Sequence, residues 1–497
     1  MRSDRQHRSH SMLFNSFEYI LLFLPICVCG YFLMTSRGLL QSSKLWLLGC
    51  SLFFYAYWNI RYLPIITGSV AVNYLVAAVM VRRPDLKRPF LLLGLLFNIG
   101  LLGYFKYADF FLANITMLVG VDYTFERMAL PLAISFFSLQ QIAFLVDNYE
   151  GSAKPGGFVD YATFVTFFPQ LIAGPIVHHR EVMPQFESDE NKLVNYDNIA
   201  KGIAIFAIGL FKKTVIADTF ARMADNGFSN PAGLSATESL LSILSYTFQL
   251  YYDFGGYMDM AIGAALIFNI TLPINFNSPF KSANIIDFWR RWHITLSNFI
   301  TTYLYTPIVR AWLPFSVSKS LMAIGITMLI AGLWHGAAWT FVLFGGIHGT
   351  ALIANHLWRR HGFKIPAPIG VALTFGVTAV SLCFFRALSV SDAMTMLANL
   401  SGKNGLLPFS FNDGPYALLL NLKESIIYSG MGTFEMGTGT LLTACAAFWV
   451  FSMRNTHQLF ANFKPSWGKV LLCSACLCVS FLYMNSFAEK EFLYFDF

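Results

Sequence analysis

The sequence predicts an all-α polytopic membrane protein, with about eleven transmembrane helices at about 20 residues per crossing, plus re-entrant and interfacial helices. Three observations predict it. Hydrophobic residues make up 56% of the chain and charged residues only 12%, against about 25% charged in a soluble chain. The stretch from Met322 to Trp358 contains no Asp, Glu, Lys or Arg, and so long an apolar run belongs in a bilayer. Basic residues gather in short loops, as at Arg82, Arg83, Lys87 and Arg88. The net charge of +7 therefore reads as positive-inside loops, not as a nucleic-acid surface.

The first ten residues are polar and basic, and apolar sequence begins at Met12. The basic start resembles a signal peptide, but no small-residue cleavage site follows and many more spans do. Residues 1–11 are read as a polar extension with Met12 as the alternative start, residues 12–487 as the transmembrane domain, and residues 488–497 as an aromatic tail. Candidate spans are 17–36, 45–60, 63–81, 90–107, 160–178, 198–217, 238–270, 296–314, 319–341, 342–358, 367–387, 435–453 and 467–487. A long interrupted apolar region covers 108–147. Pro131, Pro169 and Pro175 break helices, and non-helical backbone at membrane depth survives only inside protein or beside a cavity. The loops Arg82 to Arg88, Lys212-Lys213 and Lys281 to Arg291 should be cytoplasmic. Counting back three spans from Arg82 puts Met12 outside. The polar insert from Leu388 to Met436 reads as an outer loop, with or without short surface helices.

The eight cysteines all lie in apolar segments, where Cys acts as a small hydrophobe. Cys473 and Cys476 have the spacing of a redox or zinc pair but no second pair nearby, so packing is the expectation. No phosphate loop and no Gly-x-Ser-x-Gly elbow is present. His178 and His179 are adjacent, a poor spacing for one metal on a helix. No metal and no cofactor is expected.

Chemistry is expected at His335, an ionisable group at bilayer depth. Its alternative role is a hydrogen bond between packed helices. Gly332, Gly336, Ala337 and Ala338 surround it with small side chains, leaving room for a substrate or for another helix. His293 lies in a basic, aromatic stretch from Asn284 to Ser297. That stretch suits an interfacial helix, with Arg290 and Arg291 toward phosphate and Trp289 and Trp292 at headgroup level. One apolar span and a turn separate His293 from the helix bearing His335, so both can reach similar depth. A histidine pair suits general-base catalysis, because its ordinary pKa is near neutral. Asp253 and Asp259 flank Gly255-Gly256, which should break or kink a helix. Either acid could orient a histidine, cap a helix fragment or serve a proton path.

Several stretches together resemble one family. They are Tyr104 to Tyr107, Leu130 to Phe137, Phe168 to Ile176, Tyr252 to Gly263, Asp287 to Ser297 and Leu333 to Gly336. They are similar to the membrane-bound O-acyltransferases, and among these to the bacterial branch holding the alginate O-acetylation membrane subunit and the teichoic-acid D-alanyl transferase. The likeness runs from about Met12 to the C-terminus. The polar extension is the departure from the pattern. The resemblance implies a helical ring around a central channel in the inner (cytoplasmic) membrane. It implies His335 as the family's histidine and His293 as its partner. It also implies an acyl group, acetyl from acetyl-CoA as donor substrate, passed across the membrane for O-acetylation of a surface polysaccharide such as alginate. A periplasmic SGNH-hydrolase-like acetyltransferase would complete the transfer. Lys281, Arg290, Arg291, Asp253 and Trp334 are the candidate residues for binding substrate or CoA; the cations suit an anionic donor. The alternative class is a proton-coupled transporter or flippase of a lipid or polymer, for which no repeat symmetry is visible.

The last residues read Phe492, Leu493, Tyr494, Phe495, Asp496 and Phe497 after a charged break. An interfacial aromatic belt is one reading. A docked tail is the other, since ordering such a segment costs entropy unless it packs. Phe492, Tyr494 and Phe497 resemble the terminal motif of the small peptide that accompanies the D-alanyl transferase branch. That resemblance implies a tail folded into the outer channel mouth, anchored by Phe492 and Phe497, with the Tyr494 phenol as an acyl relay.

Overall fold

The computed structural model describes residues 12–120, 130–172, 174–406, 436–487, 490 and 492–496. Its regular elements are helices, with no strand among the described residues. Among the described residues six helices are long and apolar enough to cross a membrane: Glu18–Ser36, Ile60–Arg82, Pro84–Val119, Val317–His335, Ala367–Arg386 and Trp467–Ser486; Thr438–Ser452 is a shorter apolar helix. The protein divides into two units. The first is made by the described residues of Met1–Phe211, Gly256–Ile274 and Asn462–Phe497, and the second by those of Lys212–Gly255 and Asn275–Ala461.

In the first unit, helices start and stop where local chemistry dictates. Gly38, at φ +73°, turns the chain between Leu24–Ser36 and Leu40–Trp58. The Asn59 side chain accepts from the Arg61 N–H at 3.0 Å and starts the next turn, which leads into Leu63–Arg82. Polar side chains tie these helices together, as expected where backbone groups have no water to turn to. Asn98 Nδ2 donates to Asn73 Oδ1 at 2.7 Å, Gln141 Nε2 to Ser69 Oγ at 3.0 Å, and Tyr161 Oη to Gln141 Oε1 at 3.4 Å.

The candidate span 160–178 is not one helix. It is Phe158–Thr166 followed by Phe168–Leu171 and an extended run through Ile176 and Val177. Pro169 and Pro175 prevent a continuous ladder. The run survives because it is enclosed, with Ile176 and Val177 buried and the Phe168 N–H held by Ser51 Oγ at 3.2 Å.

The expected break at Gly255-Gly256 is also absent. The helix Ala236–Ile267 passes through both glycines. Within the first unit Gly256 and Gly263 lie instead at a close helix crossing with Gly209 and Gly202. A Cβ at Gly209 would lie 2.6 Å from the Gly256 carbonyl oxygen, and one at Gly202 would lie 2.6 Å from that of Gly263.

The second unit is held by a similar crossing between Val317–His335 and Trp339–Arg360. A Cβ on Gly332 would run into the Phe341 carbonyl oxygen and come within 2.9 Å of Gly345 N. An ion trio sits at the start of this unit, with Lys213 and Asp253 buried and Asp218 partly exposed: Lys213 Nζ is 2.8 Å from both Asp218 Oδ1 and Asp253 Oδ1. The polar insert begins with a helix, Val390–Asn399; residues 407–435 lie outside the described residues.

Candidate functional site

Both expected catalytic histidines fall in the second unit and meet there. His335 is the last residue of Val317–His335 and is 4% exposed. Its ring centre lies 6.3 Å from that of His293, 5.0 Å from Trp334, 5.3 Å from Phe385 and 5.6 Å from Phe344. The small residues near His335 turn out to admit a helix. Gly336 sits against the Phe341 ring, where any Cβ would overlap it, and Gly332 lies at the helix crossing.

His293 is held by a device the sequence did not announce. Asn275 Oδ1 accepts three hydrogen bonds: from the Thr295 N–H at 3.1 Å, from Thr295 Oγ1 at 3.1 Å and from His293 Nδ1 at 3.2 Å. The Asn275 backbone carbonyl takes the Ile294 N–H at 3.0 Å. A carbonyl oxygen can only accept, so Nδ1 carries the proton and the lone pair sits on Nε2. The Thr295 backbone donor fixes which way the amide points. His293 itself has φ +45°. For a non-glycine residue that conformation costs roughly 1–3 kcal/mol and persists only where the surroundings enforce it. Here the Asn275 clamp enforces it.

The remaining candidates separate into engaged and accessible groups. Arg291 Nε is 3.0 Å from Asp287 Oδ2, and Lys281 Nζ donates to the Met453 carbonyl at 2.6 Å. Arg290 is exposed at the end of the short helix Ile285–Trp289. Asp253 is 1% exposed, and its Oδ1 lies 2.8 Å from Lys213 Nζ. Trp334 packs on both histidines, at 5.0 Å and 6.4 Å. Asp259 is buried within the continuous helix, in the first unit.

Sequence reasoning also passed over His348 and Ser381. His348 is 1% exposed, and its Nε2 lies 2.8 Å from Ser381 Oγ. Its ring is 4.8 Å from that of Phe344. The signal was present: His348 lies in the same charge-free stretch as His335, and the rule that flagged one flags the other.

The tail docks within the first unit. Phe492 is buried and stacks on Tyr257 at 4.4 Å, and Tyr257 stacks on Phe14 at 4.7 Å. Phe495 packs on Trp58 at 5.2 Å. Phe492 is thus an anchor as expected, and Phe495 is a second one. Phe497 and the Tyr494 side chain lie outside the described residues; the Tyr494 backbone is in the turn Leu493–Asp496. Trp58 ends the helix Leu40–Trp58, and Leu63–Arg82 runs back from there to the basic loop. The tail therefore lies at the opposite end of this unit from Arg82–Arg88.

Among the described residues no group of three His, Cys, Asp or Glu is placed to hold a metal. The profile of MBOAT, the membrane-bound O-acyltransferase family, matches residues 92–368. The peptidoglycan O-acetyltransferase of Helicobacter pylori is 41% identical, over 98% of this chain and 98% of that protein. The probable alginate O-acetylase AlgI of Azotobacter vinelandii is 36% identical over 81% of this chain and 79% of its own length. The teichoic acid D-alanyltransferase of Streptococcus thermophilus is 26% identical over 51% and 68%. With an apolar helical fold, a buried histidine pair and these relatives, the chain belongs to the membrane-bound O-acyltransferase family.

Proposed function

We propose that the protein is an O-acetyltransferase that takes acetyl from acetyl-CoA on the face bearing Arg82–Arg88 and delivers it for O-acetylation of a cell-surface glycan. The observation that carries this reading is the buried pair His293 and His335, ring centres 6.3 Å apart, with the Nε2 lone pair of His293 fixed by Asn275. An acceptor hydroxyl attacks the thioester carbonyl carbon and gives its proton to His335. A C–O bond forms and the C–S bond breaks. The CoA thiolate leaves and takes the proton. The lone pair of His293 stabilises the imidazolium that forms in between. Burial strengthens these electrostatic effects.

The first acceptor hydroxyl is the Tyr494 phenol, which passes the acetyl group to an SGNH-type acetyltransferase outside the membrane and so to the glycan. The docked Phe492 and Phe495 support this reading, because they give the tail a fixed seat. Arg290 is the exposed cation that suits the CoA phosphates. The membrane is the inner one, no cofactor takes part, and acetyl-CoA is a substrate.

For the acceptor, the 41% match over nearly the whole of both chains favours peptidoglycan. Alginate or a related exopolysaccharide is the second reading, supported by relatives at 32–36% identity. The test measures ester-linked acetate, released by mild alkali, from purified sacculi and from exopolysaccharide of cells with and without the gene. Acetate that appears on sacculi only with the intact protein supports the first reading. Acetate confined to exopolysaccharide supports the second. Transport of intact cargo with no acetate on either glycan contradicts both.

A further inference from the structure

In the first unit the helices Glu18–Ser36 and Leu40–Trp58 lie side by side, antiparallel across the turn at Gly38. On the second helix Leu45, Gly49, Phe53 and Tyr57 recur every four residues and so share one face. Glycine takes one place in that ridge. A Cβ built on Gly49 meets nothing within 4 Å, so the ridge has a gap between Leu45 and Phe53. On the first helix Glu18, Leu22 and Ile26 make the facing ridge at the same spacing. Between the two ridges runs a groove of about 560 Å³, within the roughly 300–1,000 Å³ of ligand sites.

The groove is preformed. Its back wall is the Phe23 ring, fixed between Phe54 at 5.4 Å and Phe168 at 5.0 Å. Its deep end is the Trp46 indole, whose Nε1 donates to the Cys27 carbonyl at 3.1 Å. Gly30 leaves that ring its room, since a Cβ there would overlap it. At the mouth Leu22, Ile26, Leu45 and Phe53 are each more than half exposed. The groove therefore opens on the outward side of a helix apolar enough to cross a membrane.

Its occupant follows from depth, length and charge. The medium around a membrane span is hydrocarbon. Leu45 and Tyr57 are twelve residues apart, about 18 Å at about 1.5 Å of rise per residue. An extended chain of about sixteen carbons covers the same distance, at about 1.2 Å of advance per bond. Glu18 is exposed and is the first residue of its span, at the end of the groove that Tyr57 also lines. A carboxylate at headgroup level attracts a protonated amine and repels an anionic headgroup. We propose that the groove holds one acyl chain of a phospholipid with a primary-amine headgroup, its ammonium on Glu18 and its chain over Gly49. Glu18 lies at the end of this unit opposite Arg82–Arg88, so the lipid belongs to the leaflet away from the basic loop. No hydrophobic force drives a chain from lipid into such a groove; close fit and the headgroup pair retain it.

The test uses the full-length protein in detergent, freed of lipid and titrated with dipalmitoyl phosphatidylethanolamine or dipalmitoyl phosphatidylglycerol. Native mass spectrometry counts the bound lipid. The two lipids share their chains and differ in the headgroup. The first ethanolamine lipid should bind about fivefold more tightly than the first glycerol lipid, the upper range for an exposed ion pair. Glu18→Gln should erase that preference and leave both lipids binding. Gly49→Leu and Ile26→Trp fill the groove from opposite walls. Each should weaken the first binding of both lipids by about tenfold or more, the effect of overpacking. On the unaltered protein, an ethanolamine lipid with a mid-chain diazirine should label residues 18–27 and 45–57 above every other apolar segment. Unchanged binding in both filling variants, or label spread evenly over the apolar helices, overturns the site. A preference that is absent from the wild type, or that survives Glu18→Gln, overturns the headgroup assignment.

Discussion

The Nδ1–H of His293 donates to Asn275 Oδ1 across 3.2 Å. That bond decides which imidazole nitrogen is left for chemistry. The same oxygen holds the backbone and side chain of Thr295, so the clamp also fixes the left-handed backbone at His293. Replacing Asn275 by Leu removes all three acceptances at similar volume. Glycan acetylation, normalised to protein in the membrane, should fall by roughly 10–100-fold, the usual effect of losing a group that orients a functional histidine. Asn275→Asp keeps an acceptor and should retain more activity than the leucine variant. Equal activity of the leucine variant and wild type would show that the clamp is dispensable.

The tail gives a second prediction. Tyr494→Phe removes one oxygen and keeps the aromatic packing. A relay requires near-complete loss of acetylation, whereas an interfacial anchor tolerates the change. Phe492→Ala removes the ring stacked on Tyr257 and should release the tail to carboxypeptidase digestion. Normal acetylation in the Tyr494 variant would end the relay role, even if the tail still docks.

The helix crossing gives a third. Gly332→Val puts branched carbon where the Phe341 backbone already lies. Overpacking at such a contact costs about 1–3 kcal/mol or more, and here the obstacle is backbone, which cannot rotate away. The amount of protein in the membrane should fall sharply. Immunoblotting of membrane fractions checks this, and an unchanged level would mean that the two helices can separate at little cost.

The ion trio gives a fourth. Lys213→Met leaves Asp218 and Asp253 close together with their cation gone. Breaking a buried pair from one side typically destabilises by about 3–5 kcal/mol. The melting temperature in detergent should drop, and adding Asp253→Asn should recover part of the loss. An unchanged melting temperature in Lys213→Met would mean that the carboxylates find other partners.

What the sequence revealed follows from where each property resides. Bilayer burial is a property of composition, so the apolar helices and His335 were legible. For the tail the sequence left an interfacial belt and a docked segment as alternatives, and the stacking of Phe492 on Tyr257 appears only in the fold. Glycine was ambiguous. Gly255-Gly256 looked like a break, and Gly332 and Gly336 left room for either a substrate or another helix, and Gly256, Gly332 and Gly336 are points where another chain segment comes close. A missing side chain reads the same in sequence whether it permits a kink or a close approach. Asn275 was illegible for a different reason. Its role arises from a carbonyl oxygen meeting a loop 18 positions away, and no local pattern encodes that meeting. Lys281 and Arg291 read as free cations, but their partners, Met453 and Asp287, appear only in the fold. His348 was legible by the rule that found His335.

The most direct test of the account is acetyl transfer by His335→Ala. The variant should insert and reach the membrane at the wild-type level. Ester-linked acetate on sacculi should drop by about a hundred- to ten-thousand-fold, the span of general-base catalysis, and purified protein should no longer move label from acetyl-CoA. Wild-type acetylation in cells carrying that variant, at equal membrane level, would contradict the assignment of the buried histidine pair as the seat of catalysis.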